Sequence, residues 1–232
     1  MIEVDTNDIL LVDKPVGWTS FDVVAKIRGQ IRRSYLDKGV KPTKRQLRVG
    51  HAGTLDPFAT GLLIVLVGDA CKQAGEFLKL DKTYEFTAML GKVSTTGDPE
   101  GTISDVAVEG SMPSLQDVEQ VLSEFVGDIS QVPPAYSAIK VDGKRAYTLA
   151  REGRIVALVP RVIKIHRLDL LEYEYPLLRC RASVGSGTYI RTLVEDIAKA
   201  LGTGAYCTQL RRTVVGNYSI ENAVVVEAIV SS

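Results

Sequence analysis

A mixed α/β (α+β) domain, with a largely antiparallel sheet flanked by helices, is the fold class predicted by this 232-residue chain. Three observations lead there. An apolar run at residues 62–67, bounded by Gly61 and Gly68, reads as a buried strand. Period-two alternation recurs at residues 84–90, 162–175 and 178–184, which predicts half-buried strands. Several other segments repeat apolar residues at the spacing of a helix face, so strands and helices must share one core.

In chain order, residues 9–12 form a short strand, and DKPVGWTS is a turn in which Thr19 or Ser20 caps a helix. Phe21, Val24, Ile27 and Ile31 give that helix its periodicity. From Ser34 to Arg48 periodicity is lost and Gly39 and Pro42 intervene, which predicts an exposed, mobile loop. Tyr84, Phe86, Ala88 and Leu90 alternate up to Gly91, and the loop VSTTGDPEG follows. Ser114 with Asp117 reads as a capping box before the stripe Leu115, Val118, Val121, Leu122 and Phe125, stopped by Gly127. The last strong element is a helix over 189–201, with Ile190, Leu193, Val194, Ile197, Ala198 and Leu201 on one face and Gly202 at its end. The whole chain, residues 1–232, reads as one domain with an extension near 128–160.

Composition narrows the function class. With 45% apolar and 24% charged residues the chain can fill an ordinary globular core. Its first residues, MIEVDTNDILLVDK, carry acids where a secretory leader carries bases, and no apolar run nears the roughly 18 residues of a membrane span. A cytoplasmic protein without a membrane partner is expected. Cys71, Cys180 and Cys207 include no CxxC pair, which predicts buried thiols and neither a disulfide framework nor a zinc site. No GxxxxGK[ST] loop and no metal-ligand cluster is present in the sequence, so neither metal nor cofactor is expected. The net charge of zero is uneven: residues 26–48 hold nine basic side chains against one acid, Asp37. Such a segment can grip a polyanion locally or simply be a solvated face.

The stretch GHAGTLDPFATGLL sets Asp56 directly before a proline, which favours extended backbone, and between Gly53 and Gly61, which permit close turns. The following buried strand anchors the loop, so the carboxylate is presented on something rigid. Capping a turn is the simpler role for an isolated Asp-Pro.

Taken together, LLVDKPVGWTS, GHAGTLDPFATGLL, DKTYEF, SGTYIRTLVEDI and TQLRRTVVG resemble the ordered motif set of the tRNA pseudouridine synthases of the TruB family. The resemblance covers essentially the whole chain, and residues 128–160 resemble the family's RNA-gripping thumb. It implies a cofactor-free isomerase that converts the T-loop uridine at position 55 of tRNA to pseudouridine, acting as a monomer on the T-stem loop. Asp56 matches the catalytic aspartate, which attacks the anomeric carbon or the uracil ring, or promotes elimination at the sugar; the sequence leaves the three routes open. Arg191 matches the cation that keeps this carboxylate ionised against the effect of burial. Tyr84 matches the aromatic face that receives the flipped base. His51 matches a residue that helps displace the base, Tyr189 and Leu210 match the pocket lining, and Lys14 matches a residue that supports the Asp56 loop or contacts RNA.

Two departures from the family pattern stand out. Bacterial relatives usually carry a small C-terminal RNA-binding domain of the PUA type, which is not expected in this sequence, and the basic stretch 34–48 is longer than usual. The expectation is that the basic stretch supplies phosphate contacts. A guide-RNA-dependent pseudouridine synthase subunit and a tRNA-folding chaperone are the competing readings.

Overall fold

The computed structural model describes residues 8–108, 110–137, 139–141, 143–154 and 158–226. At the start of the chain, ILLVDK alternates side to side as strand β1 (Ile9–Lys14), with Leu10, Val12 and Lys14 turned inward. Helix α1 (Ser20–Asp37) begins at a complete capping box: the Thr19 hydroxyl accepts from the Asp22 N–H at 3.1 Å, and the Asp22 carboxylate accepts from the Thr19 N–H at 2.8 Å. Its inner face buries Val23, Val24, Ile27 and Ile31, each burial contributing about 1.5–3 kcal/mol.

The loop expected from Ser34 is corrected here, because α1 runs on to Asp37. Tyr35, four residues after Ile31, is half-buried and extends the same face. The end is then set by Gly39 at φ 71°, whose N–H reaches Leu36 O at 2.9 Å while the Val40 N–H reaches Tyr35 O at 2.8 Å. This is a Schellman termination, which glycine permits at no steric cost.

Strand β2 (Val49–His51) leads to β3 (Thr60–Val67), which is buried from Gly61 onward. Helix α2 (Ala74–Lys79) follows, and β4 (Lys82–Leu90) buries Lys82, Tyr84, Phe86, Ala88 and Leu90 on one side, as the alternation predicts. The hairpin of β5 (Lys92–Ser94) and β6 (Ile103–Asp105) precedes α3 (Leu115–Glu124), whose Ser114–Asp117 capping box forms as expected. Next come β7 (Gly127–Gln131), the short pair β8 (Lys140–Val141) and β9 (Lys144–Arg145), and α4 (Ala146–Arg151). These occupy the expected thumb region, of which residues 138, 142 and 155–157 lie outside the described residues. Strands β10 (Arg161–Glu174) and β11 (Leu177–Val184), helix α5 (Ile190–Ala200), strand β12 (Ala205–Val215) and the short β13 (Tyr218–Ser219) and β14 (Val224–Val225) complete the order.

The chain forms two compact units, one of Met1–Tyr84 with Arg211–Ser232 and the other of Glu85–Leu210. In the first, β1 and β2 pair antiparallel with β3, placing Lys14 opposite Gly61 and His51 opposite Val65. Strand β12 runs parallel to β3, with Arg212 opposite Gly61, and β14 runs parallel to β1. One face of β3 packs Leu62, Ile64 and Leu66 with Phe77 and Val215. In the second unit β10 pairs antiparallel with both β11 and β7, and α3 packs on β10. The predicted mixed, largely antiparallel sheet with helices is the architecture found. Cys180 and Cys207 are buried as expected, and burial pushes the Cys180 thiol up to about 12. Cys71 departs from the expectation: it is half-buried, beside the backbone of Leu66 and Arg48.

Candidate active site

The segment that carries Asp56 is held from four directions within the first unit. Ser20, the first residue of α1 and 2% exposed, accepts the Leu55 N–H at 2.8 Å through its hydroxyl and donates to the Leu55 carbonyl at 3.2 Å. Pro57, on the other side of Asp56, has its carbonyl bound by the Gly17 N–H at 2.8 Å and by Lys14 Nζ at 3.3 Å. Arg212, 1% exposed, joins the two ends of the loop: Nε donates to Leu62 O at 2.7 Å and Nη2 to Gly53 O at 3.1 Å. The Asp56 carbonyl accepts from the Ala59 N–H at 3.1 Å, closing a turn at the residue itself. The backbone on both sides of Asp56 is therefore fixed by hydrogen bonds from buried side chains and from turns.

Two glycines permit this construction. Gly61 has φ 103°, and a methyl there would run into the backbone of Arg212, so only glycine lets β12 approach β3 at this level. Gly53 has φ 104°, and a Cβ would lie 3.4 Å from Arg212 Nη1. The rigid presentation inferred from the spacing of Gly53, Asp56 and Gly61 has its physical cause in these contacts.

Lys14 is fully buried and donates to three carbonyls, Trp18 at 2.6 Å, Pro15 at 2.9 Å and Pro57 at 3.3 Å. Its ammonium thus ties the β1–α1 turn to the Asp56 loop. His51 is half-buried in β2, five residues ahead of Asp56. Tyr84, 9% exposed, lies on the buried side of β4. Near it in sequence, Lys82 donates to Leu78 O at 2.7 Å and Leu80 O at 2.5 Å, and burial, aided by the charge of Arg212, pulls its pKa down to about 8.

In the second unit, the first turn of α5 carries Arg191, 5% exposed. Its Nη1 donates to Thr96 O at 2.6 Å and to Asp98 Oδ2 at 3.0 Å, and its Nη2 donates to Tyr136 O at 2.8 Å. Asp98, 3% exposed, also accepts from Thr96 Oγ1 at 2.5 Å and from the Glu100 N–H at 3.0 Å. Sequence reasoning did not name Asp98. The available signal was GDPEG, an Asp-Pro between glycines like that of Asp56. Tyr189 precedes α5 as its cap residue, and the Gln131 amide holds its backbone, accepting the Tyr189 N–H at 2.9 Å and donating to the Tyr189 carbonyl at 3.1 Å. Leu210, 8% exposed, lies in β12. Lys14, His51, Asp56 and Tyr84 thus belong to the first unit, and Tyr189, Arg191 and Leu210 to the second.

Residues 41–190 match the description "TruB family pseudouridylate synthase (N terminal domain)", and residues 191–232 match "tRNA pseudouridylate synthase B C-terminal domain". The chain belongs to the TruB family. Among TruB relatives it is 43% identical over 215 residues to tRNA pseudouridine synthase B of Parabacteroides distasonis, covering 93% of this chain and 88% of that one. Against the protein of the same name from Phocaeicola vulgatus identity is 44% over 222 residues, covering 96% and 91%. The Pseudomonas fluorescens relative is 42% identical, but the match covers 68% of its length. Among solved structures, a chain of a Cbf5-Nop10-Gar1 complex superimposes with a TM-score of 0.69 at 29% identity; this TruB-family chain is covered to 96% and spans 53% of that one.

Among the described residues, no group of three His, Cys, Asp or Glu gathers as a metal site, and no helix is long and apolar enough to cross a membrane.

Proposed function

We propose that this chain isomerises a uridine of tRNA to pseudouridine, with Asp56 as the nucleophile. The observation that carries the reading is that Leu55 and Pro57, on either side of Asp56, are each pinned by hydrogen bonds, in a chain of the TruB family. The curated relatives named tRNA pseudouridine synthase B share 43–44% identity over at least 93% of this chain, which supports the same substrate class.

In this reaction the bond from uracil nitrogen to the anomeric carbon breaks, the base turns, and a carbon–carbon bond to the same sugar forms. The hydrogen displaced from the base carbon is balanced by one gained at nitrogen, so substrate and product have the same composition. A carboxylate can form and release the intermediate bond without a cofactor. A backbone held on both sides of Asp56 keeps the attacking oxygen in place before substrate arrives, and such preorganisation is worth several kcal/mol of barrier.

The target uridine must leave its stack, which costs a few kcal/mol. Tyr84 returns about 1–3 kcal/mol by stacking on the extruded base. Arg191 supplies the fixed positive charge that favours the ionised carboxylate, and a guanidinium retains that charge at every physiological pH. Tyr189 and Leu210 wall the uracil, His51 helps displace it, and Lys14 holds the loop. The thumb region 128–160 grips the T-stem loop, the target is the uridine at position 55, and the enzyme works as a monomer in the cytoplasm. Higher identity to the curated tRNA enzymes, 41–44%, than to the Cbf5-containing assemblies, 26–29%, favours a stand-alone enzyme over a guide-dependent subunit.

The test is incubation of purified protein with unmodified tRNA transcript, with no guide RNA, followed by mapping of pseudouridine. Wild type converts the T-loop uridine; Asp56→Asn loses turnover by at least about 1,000-fold while tRNA affinity stays within about threefold, because Asn keeps the shape but not the anion. Near-normal turnover by Asp56→Asn would overturn the nucleophile assignment.

A further inference from the structure

Residues 26–48 carry nine bases against one acid, a net +8 within a chain of net charge zero. Few of these charges are consumed inside the protein. Arg33 pairs with Asp37 at 3.8 Å, Arg45 pairs with Asp69, and Arg28 donates to Val49 O at 3.0 Å. Lys26, Arg32, Lys38, Lys41 and Lys44 are exposed and enter no ion pair among the described residues.

Their arrangement follows from the helix. With Ser20, Val23, Val24, Ile27 and Ile31 inward, a turn of 100° per residue sends Lys26, Gly29, Arg32 and Arg33 outward. Ala25 and Gly29 lie between Arg32 on one side and Lys26 with Arg33 on the other, a low stretch flanked by positive charge that ends at Asp22 toward the start of the helix and at the exposed Leu36 toward its end. Gly29 is the informative residue. Glycine is among the poorest helix formers, and a Cβ at Gly29 would meet nothing within 4 Å, so no packing inside the chain requires it.

The segment after α1 is built rather than loose. Gln46 Oε1 accepts from the Thr43 N–H at 2.8 Å and from its hydroxyl at 3.0 Å, and the Leu47 N–H returns to Thr43 O at 3.2 Å. This turn sets Lys44 and Arg45, and Arg45 is anchored to Asp69. Both ends of the basic region are tied to the Asp56 loop, through Ser20 to Leu55 and through β2 to β3. Along the axis of α1 the bases begin at Lys26, about 9 Å beyond Ser20, and reach Arg33, about 20 Å beyond it, so they lead away from the helix end that is tied to Leu55.

We propose that the outer face of α1 together with the segment to Arg48 is a phosphate-binding surface that takes sugar–phosphate backbone of the tRNA body outside the T-arm hairpin. The inference rests on tRNA being the substrate. Its chemistry is sequence-independent: ammonium and guanidinium groups meet phosphates across the strip opened by Ala25 and Gly29, releasing counterions.

The test measures affinity by fluorescence anisotropy, for intact tRNA transcript and for the isolated T-arm hairpin, across salt concentrations. The protein carries either the combined changes Lys26→Gln, Arg32→Gln, Lys38→Gln, Lys41→Gln and Lys44→Gln, or Gly29→Gln alone. The combined variant is expected to bind intact tRNA about 10- to 100-fold more weakly near 0.1 M salt, with the log–log salt slope smaller by about 0.9 for each phosphate no longer neutralised. Its hairpin affinity and its turnover of the hairpin should stay within twofold of wild type. Gly29→Gln should keep or raise Tm, since it replaces a poor helix former, and still weaken intact tRNA at least fivefold. An unchanged salt slope for intact tRNA would overturn the proposal, and so would equal losses for tRNA and hairpin. Failure of wild type to modify either RNA would instead count against the substrate itself.

Discussion

Removing the Ser20 hydroxyl tests whether the Asp56 loop works because its backbone is held. Ser20→Ala deletes one oxygen that serves both polar groups of Leu55, accepting the N–H at 2.8 Å and donating to the carbonyl at 3.2 Å. Both residues are buried, at 2% and 4% exposure, so water does not simply replace the hydroxyl. The stranded N–H costs about 1–3 kcal/mol and the second missing bond about 1 kcal/mol. Alanine is a better helix former than serine, which returns up to about 0.7 kcal/mol at the start of α1. The net expectation is a loss of about 2–3 kcal/mol, which for a chain of this size lowers Tm by roughly 4–12 °C. At temperatures where the variant is folded, kcat should fall about 10- to 100-fold, because a displacement near 1 Å at the reacting group costs on that order. The KM for tRNA should stay within about threefold, since the hydroxyl contacts the loop and not the RNA. Thermal unfolding followed by circular dichroism, and tritium release from tRNA labelled at the base carbon that forms the new bond, measure the two effects. A Ser20→Ala protein with wild-type Tm and wild-type kcat would refute the view that this hydroxyl positions Asp56.

Two further outcomes follow from buried charge. Asp98→Asn removes the negative charge from a pair with Arg191 in which both side chains are only 5% exposed, while Arg191 keeps its bonds to Thr96 O and Tyr136 O, and should cost about 1–3 kcal/mol in urea unfolding; a loss below about 0.5 kcal/mol would show that the charge of Asp98 adds nothing. Lys82 titrates near 8 in the folded chain against an ordinary value of 10.5, so between those pH values the unfolded chain binds a proton that the native chain has released. Its contribution to stability therefore rises with pH across that window and is flat below pH 8. The stability of wild type minus that of Lys82→Met should climb from pH 8 to 10.5, and a difference independent of pH would contradict the burial of a charged Lys82.

Local patterns reported local structure faithfully wherever a single face was buried. The Ser114–Asp117 capping box, the stripe of α5 and the alternation of β4 all arise from interactions within a few residues, and they are found where the sequence puts them. Strand β12 was legible only as the motif TQLRRTVVG, because Arg212 occupies an inward position that the alternation rule reserves for an apolar residue. Its guanidinium is admitted there by the carbonyls of Leu62 and Gly53, which come from residues about 150 positions away. The end of α1 was missed by four residues because the stretch Ser34–Asp37 hides a face continued by Tyr35 alone. Thr19 and Ser20 were interchangeable as caps in sequence; folding gives Thr19 the cap and sends the Ser20 hydroxyl to Leu55.

The sequence by itself determined the elements that bury a single face, the family motifs and the position of Asp56 directly before a proline and between two glycines, since each depends on residue type and short spacing. Only the tertiary structure decided what holds that carboxylate's loop, through Ser20, Lys14 and Arg212, and which acid accompanies Arg191. The reason is physical. Buried hydroxyls, ammonium and guanidinium groups are satisfied by whichever backbone carbonyl, N–H or carboxylate the fold brings to within about 3 Å, and partners 35 to 159 residues apart leave no periodic trace along the chain.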